Sequence, residues 1–280
     1  MHKVSDSQQL LAMIESRLVE TCRNHPGNRL DEHEGALIYD TPLVGVADAA
    51  DPLYDKLKEE EVIGPRHLSP AEWLPGARSV VSYFLPFGAA VREPNRSAGM
   101  PAPEWIAARF AGEDFNNHLR RELATWLREL GAEAIVPGHT ERAKTVAWRA
   151  NWSERHTAYL AGLGTFGLSK SMITRRGSAG RFGSVITTLA LPATARAYSG
   201  PYAYCPWLGG AGGCGACIDR CPPGAIGPDG KDVATCANYL DTVVKAVWAP
   251  RYGCGKCQTG VPCETAIPDP GMGALHRPST

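Results

Sequence analysis

The stretch "YCPWLGGAGGCGACIDRCPPGAI", residues 204–226, decides how the chain is read. Bacterial iron–sulfur ligand runs have the form C-x2-C-x2-C-x3-C-P. Cys214, Cys217 and Cys221, followed by Pro222, reproduce the last three positions. The first position falls at Ala211, which is no ligand, so the run is either incomplete or has its first ligand displaced. Cys205 lies upstream, across the glycine-rich loop 208–213, and Cys236, Cys254, Cys257 and Cys263 follow downstream. Eight thiolates are two sets of four, the number that two cubane clusters bind. Cys205 is then the displaced ligand, reached across glycines that permit the turns and close approach a cluster requires.

In two-cluster ferredoxins the cysteine before proline ligates the other cluster. That crossover assigns Cys205, Cys214, Cys217 and Cys263 to one [4Fe–4S] cluster, and Cys221, Cys236, Cys254 and Cys257 to a second. Exchange of Cys221 and Cys263 is the alternative. Paired CxxC segments also build four-cysteine zinc sites. The C-x3-C-P-x-G-A-I turn and the count of eight favour clusters. The ninth cysteine, Cys22, shares a helical face with Leu11, Ile14 and Leu18, and reads as a small core residue.

The chain has 280 residues, enough for one large domain or two smaller ones. Its 29 basic residues balance 29 acidic ones, which argues against a dominant nucleic-acid-binding surface. The N-terminus has no apolar leader pattern, and the apolar run 79–91 is too short to span a bilayer. The expectation is a cytoplasmic protein without membrane contact, where disulfides are rare and clustered cysteines indicate metal.

Apolar periodicity predicts helices over 7–24 and 103–130. The second carries Phe115, Leu119, Leu123, Trp126 and Leu130 on one stripe, with Gly131 as its stop. A short helix is expected over 153–161. Residues 36–47, 79–84 and 184–189 read as extended. The proline-rich segment 192–206 is the expected domain boundary.

The cysteine-rich part, with "WSERHTAYLAGLGTFGLSKSMITRRGSAGRFGSVITTLAL" (152–191) and "DPLYDKLKEEEVIGPRHLSPAEWLPGARSVVSYFLPF" (51–87), resembles the epoxyqueuosine reductase family. That family is similar to the reductive dehalogenases. The resemblance implies an α/β (α+β) fold: a nitroreductase-like domain over 1–197 that carries cobalamin, a ferredoxin-like double-cluster domain over 198–270, and a tail over 271–280. It further implies an oxidoreductase in which two [4Fe–4S] clusters feed cobalt with single electrons for a reductive deoxygenation. The implied donor is a low-potential protein such as a ferredoxin or flavodoxin, and the substrate a small molecule or modified nucleoside. Three features depart from the family pattern: five residues between Cys257 and Cys263 instead of three, the longer loop after Cys205, and a chain ending soon after Cys263. They suggest a compact branch without the helical-repeat domain, which with zero net charge argues against tRNA as substrate.

Asp114, in "GEDFNNHL", matches the family's proton-donating aspartate. Phe115 and Asn116 replace the usual tyrosine and histidine, and Glu113 is an adjacent decoy. A solvated helix carboxylate is the competing reading. His156 and Tyr159 share a helix face and either line the cobalt side as proton donors or form a core pair. Gly162, Gly164 and Gly167 spell GxGxxG around Phe166, but the string follows a helix, whereas a dinucleotide fingerprint follows a strand. It reads as a tight turn approaching the corrin, or as a purely structural turn. Arg181, Phe182, Gly183 and Ser184 match the family's cofactor-facing pattern. Arg175, Arg176 and Arg181 could bind phosphate or amide groups through guanidinium forks, or simply be surface charges. The other functional readings are an electron-transfer iron–sulfur protein without cobalamin, and a reductase that uses flavin.

Overall fold

The computed structural model describes residues 2–210, 212–271 and 273. Ala211 and most of the expected tail lie outside them. The elements that build the body are α1 (His2–Asn24), β1 (Leu43–Asp48), β2 (Ser79–Pro86), α2 (Pro103–Glu129), β3 (Ala134–Ile135), α3 (Glu154–Leu160), β4 (Gly164–Phe166), β5 (Met172–Thr174) and β6 (Gly180–Thr187). Four strands form one antiparallel sheet in the order β1-β2-β6-β3. β4 and β5 make a separate ribbon.

The sheet is covered on both faces. Val81, Tyr83 and Leu85 of β2 join Ile14 and Leu18 of α1 and Phe115, Leu119, Leu123 and Leu127 of α2. Val80 and Phe84, pointing the other way, join Tyr54, Trp73, Trp152, Ala158 and Leu160. A strand buried on both faces needs apolar or small residues throughout, which is why "SVVSYFLP" is buried at all eight positions. The result is a mixed helix-and-sheet body with a core on each side of the sheet.

Both long helices fall where periodicity places them, and Gly131 ends the second at φ +84°. Its stripe continues through buried Leu127, while Trp126 is half-buried and Leu130 is 44% exposed. The expected strand 36–47 is not continuous. Ala36–Leu37 pairs with Arg29–Leu30, and Asp40-Thr41-Pro42 breaks the run before β1. Proline offers no amide donor and restricts the residue before it. β6 starts at Gly180, ahead of the expected 184, because Gly180 and Gly183 fit against the Phe84 and Tyr83 rings of β2.

No helix or strand is found among the described residues of 188–215. Beyond them come short elements, including the helix Val233–Tyr239, whose N-terminus is capped by Asp232. Two buried polar residues fasten this region to the body. Glu264 accepts hydrogen bonds from Arg92 (2.6 Å), Arg96 (2.9 Å) and the Gly260 amide (2.8 Å). Asn95 donates to the Cys254 carbonyl at 3.1 Å, and its own carbonyl receives Lys256 Nζ and an Arg220 guanidinium nitrogen, each at 3.1 Å. Among the described residues no helix is long and apolar enough to cross a membrane.

Candidate functional site

Cys205 is buried and the other seven thiols of the cysteine-rich region are half-buried. Burial raises the Cys217 and Cys257 thiols, and pushes Cys254 up to about 11 and Cys263 up to about 12. The secondary influences show which thiols are neighbours. Cys217 responds to Cys263, Cys257, Cys205 and Cys214, and Cys263 to Cys214, Cys205 and Cys257. Cys254 responds to Cys257, Cys236 and Cys221, and Cys257 to Cys236 and Cys221. Two neighbourhoods result, touching at Cys257. Among the described residues no three His, Cys, Asp or Glu side chains converge as ligands of one ion. Leu168, Ile173, Ile226, Tyr204 and Trp207 supply apolar walls. A cubane takes one thiolate at each iron, so thiols grouped among apolar side chains fit its donor chemistry.

The body of the protein shapes these loops. Gly255 lies between Cys254 and Cys257 at φ +66°, and a β-carbon there would enter the Trp105 indole of α2. Only glycine meets both demands. Ser178, in the turn between β5 and β6, donates from its amide to the Cys263 carbonyl (2.8 Å) and from its hydroxyl to Cys263 Sγ (3.6 Å). Cys22 is remote from the field and 2% exposed, and burial pushes its thiol up to about 12, so it is an unreactive core residue.

A second polar constellation stands at the start of α3. Glu154 accepts from Ser184 Oγ at 2.6 Å and faces Arg120 Nε at 3.6 Å. Ser184 in turn receives Trp152 Nε1 at 3.0 Å. Arg120 reaches Glu113 at 2.9 Å and the Phe182 carbonyl at 2.9 Å. Burial raises the Glu154 carboxyl, opposed by Arg120 and Ser184. Burial would lower Arg120, but Glu154 and Glu113 outweigh it and keep the guanidinium charged.

Asp114 is exposed on α2, whereas neighbouring Glu113 turns toward Arg120 and Arg181. His156 bonds Ser153 Oγ at 2.8 Å, and burial, with Arg155 and His67 nearby, pushes its imidazole down to about 3. It is therefore neutral at physiological pH. His156 and Tyr159 both pack on Phe166, with ring centroids at 4.7 and 6.2 Å. Tyr159, Phe166 and Phe182 stand half-buried at the rim of the second core. Arg175 and Arg176 are exposed, and Arg181 is half-buried with its Nε unbonded.

The glycines of the GxGxxG string are accommodated by the protein's own chain. A β-carbon on Gly164 would strike the Ile173 carbonyl across the β4–β5 ribbon, and one on Gly183 would strike the Tyr83 ring. Gly162, at φ +76°, turns the chain out of α3, and Gly167 packs on Ile173. The fit to a large amide-rich cofactor therefore rests on the aromatic rim and on buried polar atoms that lack partners. Both His67 ring nitrogens are among them, whereas Thr157 lies beside Tyr54 and Arg181 Nε faces Glu113 at 3.9 Å.

Glu154, Arg120, Ser178, Asn95 and Glu264 were not singled out by the sequence. Glu154 and Ser178 lie inside the stretch 152–191 that carries the family pattern, which was the available signal. Asn95 had none.

No family model matches the chain. Among curated proteins it is 30% identical over 218 residues to an epoxyqueuosine reductase of Gloeobacter violaceus, covering 71% of this chain and 60% of that protein. It is 25% identical over 238 residues to the epoxyqueuosine reductase of Bacillus subtilis, covering 77% of this chain and 58% of that protein. A solved epoxyqueuosine reductase with an epoxyqueuosine-modified tRNA-Tyr stem loop superposes with a TM-score of 0.54 at 19% identity. The match covers 92% of this chain and 70% of that one. A catabolic reductive dehalogenase in complex with 3-bromo-4-hydroxybenzoic acid gives 0.54 at 17% identity, over 82% of this chain and 30% of the other. The fold is thus the one shared by these two kinds of reductase. Within that class, the chain belongs to the epoxyqueuosine reductase family. It spans about 60% of the length of the curated relatives it matches.

Proposed function

We propose that this protein is a cobalamin-dependent iron–sulfur reductase that removes oxygen from a modified nucleoside or a related small molecule. The observation that carries the proposal is the gathering of thiols from the cysteine-rich region among apolar side chains, against Ser178 and the Trp105 indole of the body. The mutual influences of these thiols support the crossover grouping, with Cys257 close to both sets: Cys205, Cys214, Cys217 and Cys263 for one cluster, Cys221, Cys236, Cys254 and Cys257 for the other. In this reading the part through residue 197 is nitroreductase-like, and residues 198–270 are the ferredoxin-like part. Clusters carry electrons singly, and a low-potential ferredoxin or flavodoxin supplies them.

Cobalamin, when bound, supplies a two-electron reductant at cobalt. The chain's own residues bind and protonate. Tyr159, Phe166 and Phe182 offer aromatic surface, and half-buried Arg181 offers a guanidinium that Glu113 holds only at 3.9 Å. Arg181 and Phe182 form the wall, with the Phe182 carbonyl held by Arg120 and Asn116, while Gly183 packs on Tyr83 and Ser184 is enclosed with Glu154 and Trp152. Asp114 is the proton donor in this proposal. Glu113 is committed to Arg120, while the Asp114 carboxyl is exposed and free to approach the substrate. His156, held neutral, and Tyr159 orient the rim.

Anaerobic titration of the cluster-loaded protein with cobalamin, followed by the cobalt paramagnetic resonance spectrum, tests this. One cobalamin per chain is expected, and Asp114→Asn should abolish turnover of epoxyqueuosine while Glu113→Gln does not. A loaded protein that retained no cobalamin would favour a flavin enzyme or simple electron transfer. Retained cobalamin with full Asp114→Asn turnover would remove the proton-donor role alone.

A further inference from the structure

We infer that Ser178 sets the reduction potential of the cluster held by Cys205, Cys214, Cys217 and Cys263, through the hydrogen bond from its hydroxyl to Cys263 Sγ. This inference rests on the two-cluster reading. Ser178 is 1% exposed, and every polar group it has is directed at the segment around Cys263. Its amide donates to the Cys263 carbonyl at 2.8 Å and to the Glu264 carbonyl at 3.2 Å. Its carbonyl accepts from Gln258 Nε2 at 2.7 Å. Its hydroxyl reaches Cys263 Sγ at 3.6 Å, within the range of a sulfur acceptor. The backbone contacts seat the residue whatever its side chain, so the hydroxyl can be removed without unseating the turn. The turn is braced independently by Thr174 Oγ1, which donates to the Gly177 carbonyl at 2.8 Å.

The longer connection that departs from the family pattern takes part in the same contacts. Gln258 opens the five-residue connection from Cys257 to Cys263, and its side chain ties that connection to the Ser178 carbonyl. Cys263 is thereby presented to a hydroxyl from the body of the protein.

A buried hydroxyl has one proton to donate, and a metal-bound thiolate is a strong acceptor for it. Reduction adds negative charge to the cluster, and a donor at a ligand sulfur stabilises the reduced state. Hydrogen bonds to the sulfurs are among the levers that set cluster potentials. Removing this donor lowers the potential of one cluster and leaves the other unchanged. The second set has a different neighbour, the Lys231 ammonium beside Cys236 and Cys257.

The test is a potentiometric titration of the full-length, anaerobically purified protein, monitored by paramagnetic resonance. Ser178→Ala should keep its iron and sulfide, and one of its two clusters should become about tenfold harder to reduce, ~59 mV for one electron. Ser178→Thr, which retains a hydroxyl, should restore the original value. Unchanged potentials in a loaded Ser178→Ala protein overturn the inference, as does a threonine variant that shifts as far as alanine. In the unmodified protein one cluster's iron–thiolate stretch should move in D2O, and no movement would also overturn it. That measurement decides if the alanine variant fails to load. Wild-type protein without iron–sulfur would instead defeat the two-cluster reading and leave no cluster for Ser178 to tune.

Discussion

Glu264 follows a candidate cluster ligand directly, yet its carboxylate faces away into the body, where only 6% of the side chain is exposed. It pairs with Arg92, itself 12% exposed, and with the more exposed Arg96. Burial would raise this carboxyl, but the hydrogen bonds from Arg96, the Gly260 amide and Arg92 outweigh it and hold it below the usual range. Truncating one partner of such a pair strands a buried charge, which costs about 3–5 kcal/mol. Glu264→Ala should therefore lower the anaerobic denaturant stability by that amount, and Glu264→Gln by less. A loss within the roughly 0.5 kcal/mol typical of surface substitutions would contradict the fastening role. Ligand cysteines are readable at this scale because their spacing is local. The partners of Glu264, Asn95 and Ser178 lie far along the chain, and nothing local marks them.

Helices α1 and α2 were legible because each presents an apolar face of helical period, and Gly131 supplies the stop. Legibility failed where a residue serves a neighbour instead of its own element. The extended reading began at 184, yet Gly180 and Gly183 let β6 start earlier and lie against the Phe84 and Tyr83 rings. The GxGxxG string looked like a cofactor turn because glycine records a need for space without saying what fills it. Here Ile173 fills the space at Gly164. Gly255 makes the same point in the Cys254–Cys257 loop, where the Trp105 indole occupies the space. Two substitutions separate the loops. Cys205→Ser should lose the cluster of its own set, about four of eight irons, and Gly255→Ala the other four, each leaving one intact cubane spectrum. Loss of both clusters in both variants, or full iron in Cys205→Ser, would contradict the grouping.

For the molecule as a whole, the sheet is buried on two faces, and the cysteine-rich region docks on that body through Glu264 and Asn95. Ring contacts run from Tyr159 of the candidate cofactor rim through Tyr198 to Tyr204, which packs in the apolar cluster that holds Cys205, so the rim and the thiol field are adjacent. Adjacency of this kind is what single-electron delivery to a bound cofactor requires. The whole account depends on the thiol field holding clusters. The direct measurement is the iron and acid-labile sulfide content of anaerobically purified protein, read with its Mössbauer spectrum. The account predicts about eight of each per chain, all in cubane form. Colourless protein with zinc in the cysteine-rich region would contradict it.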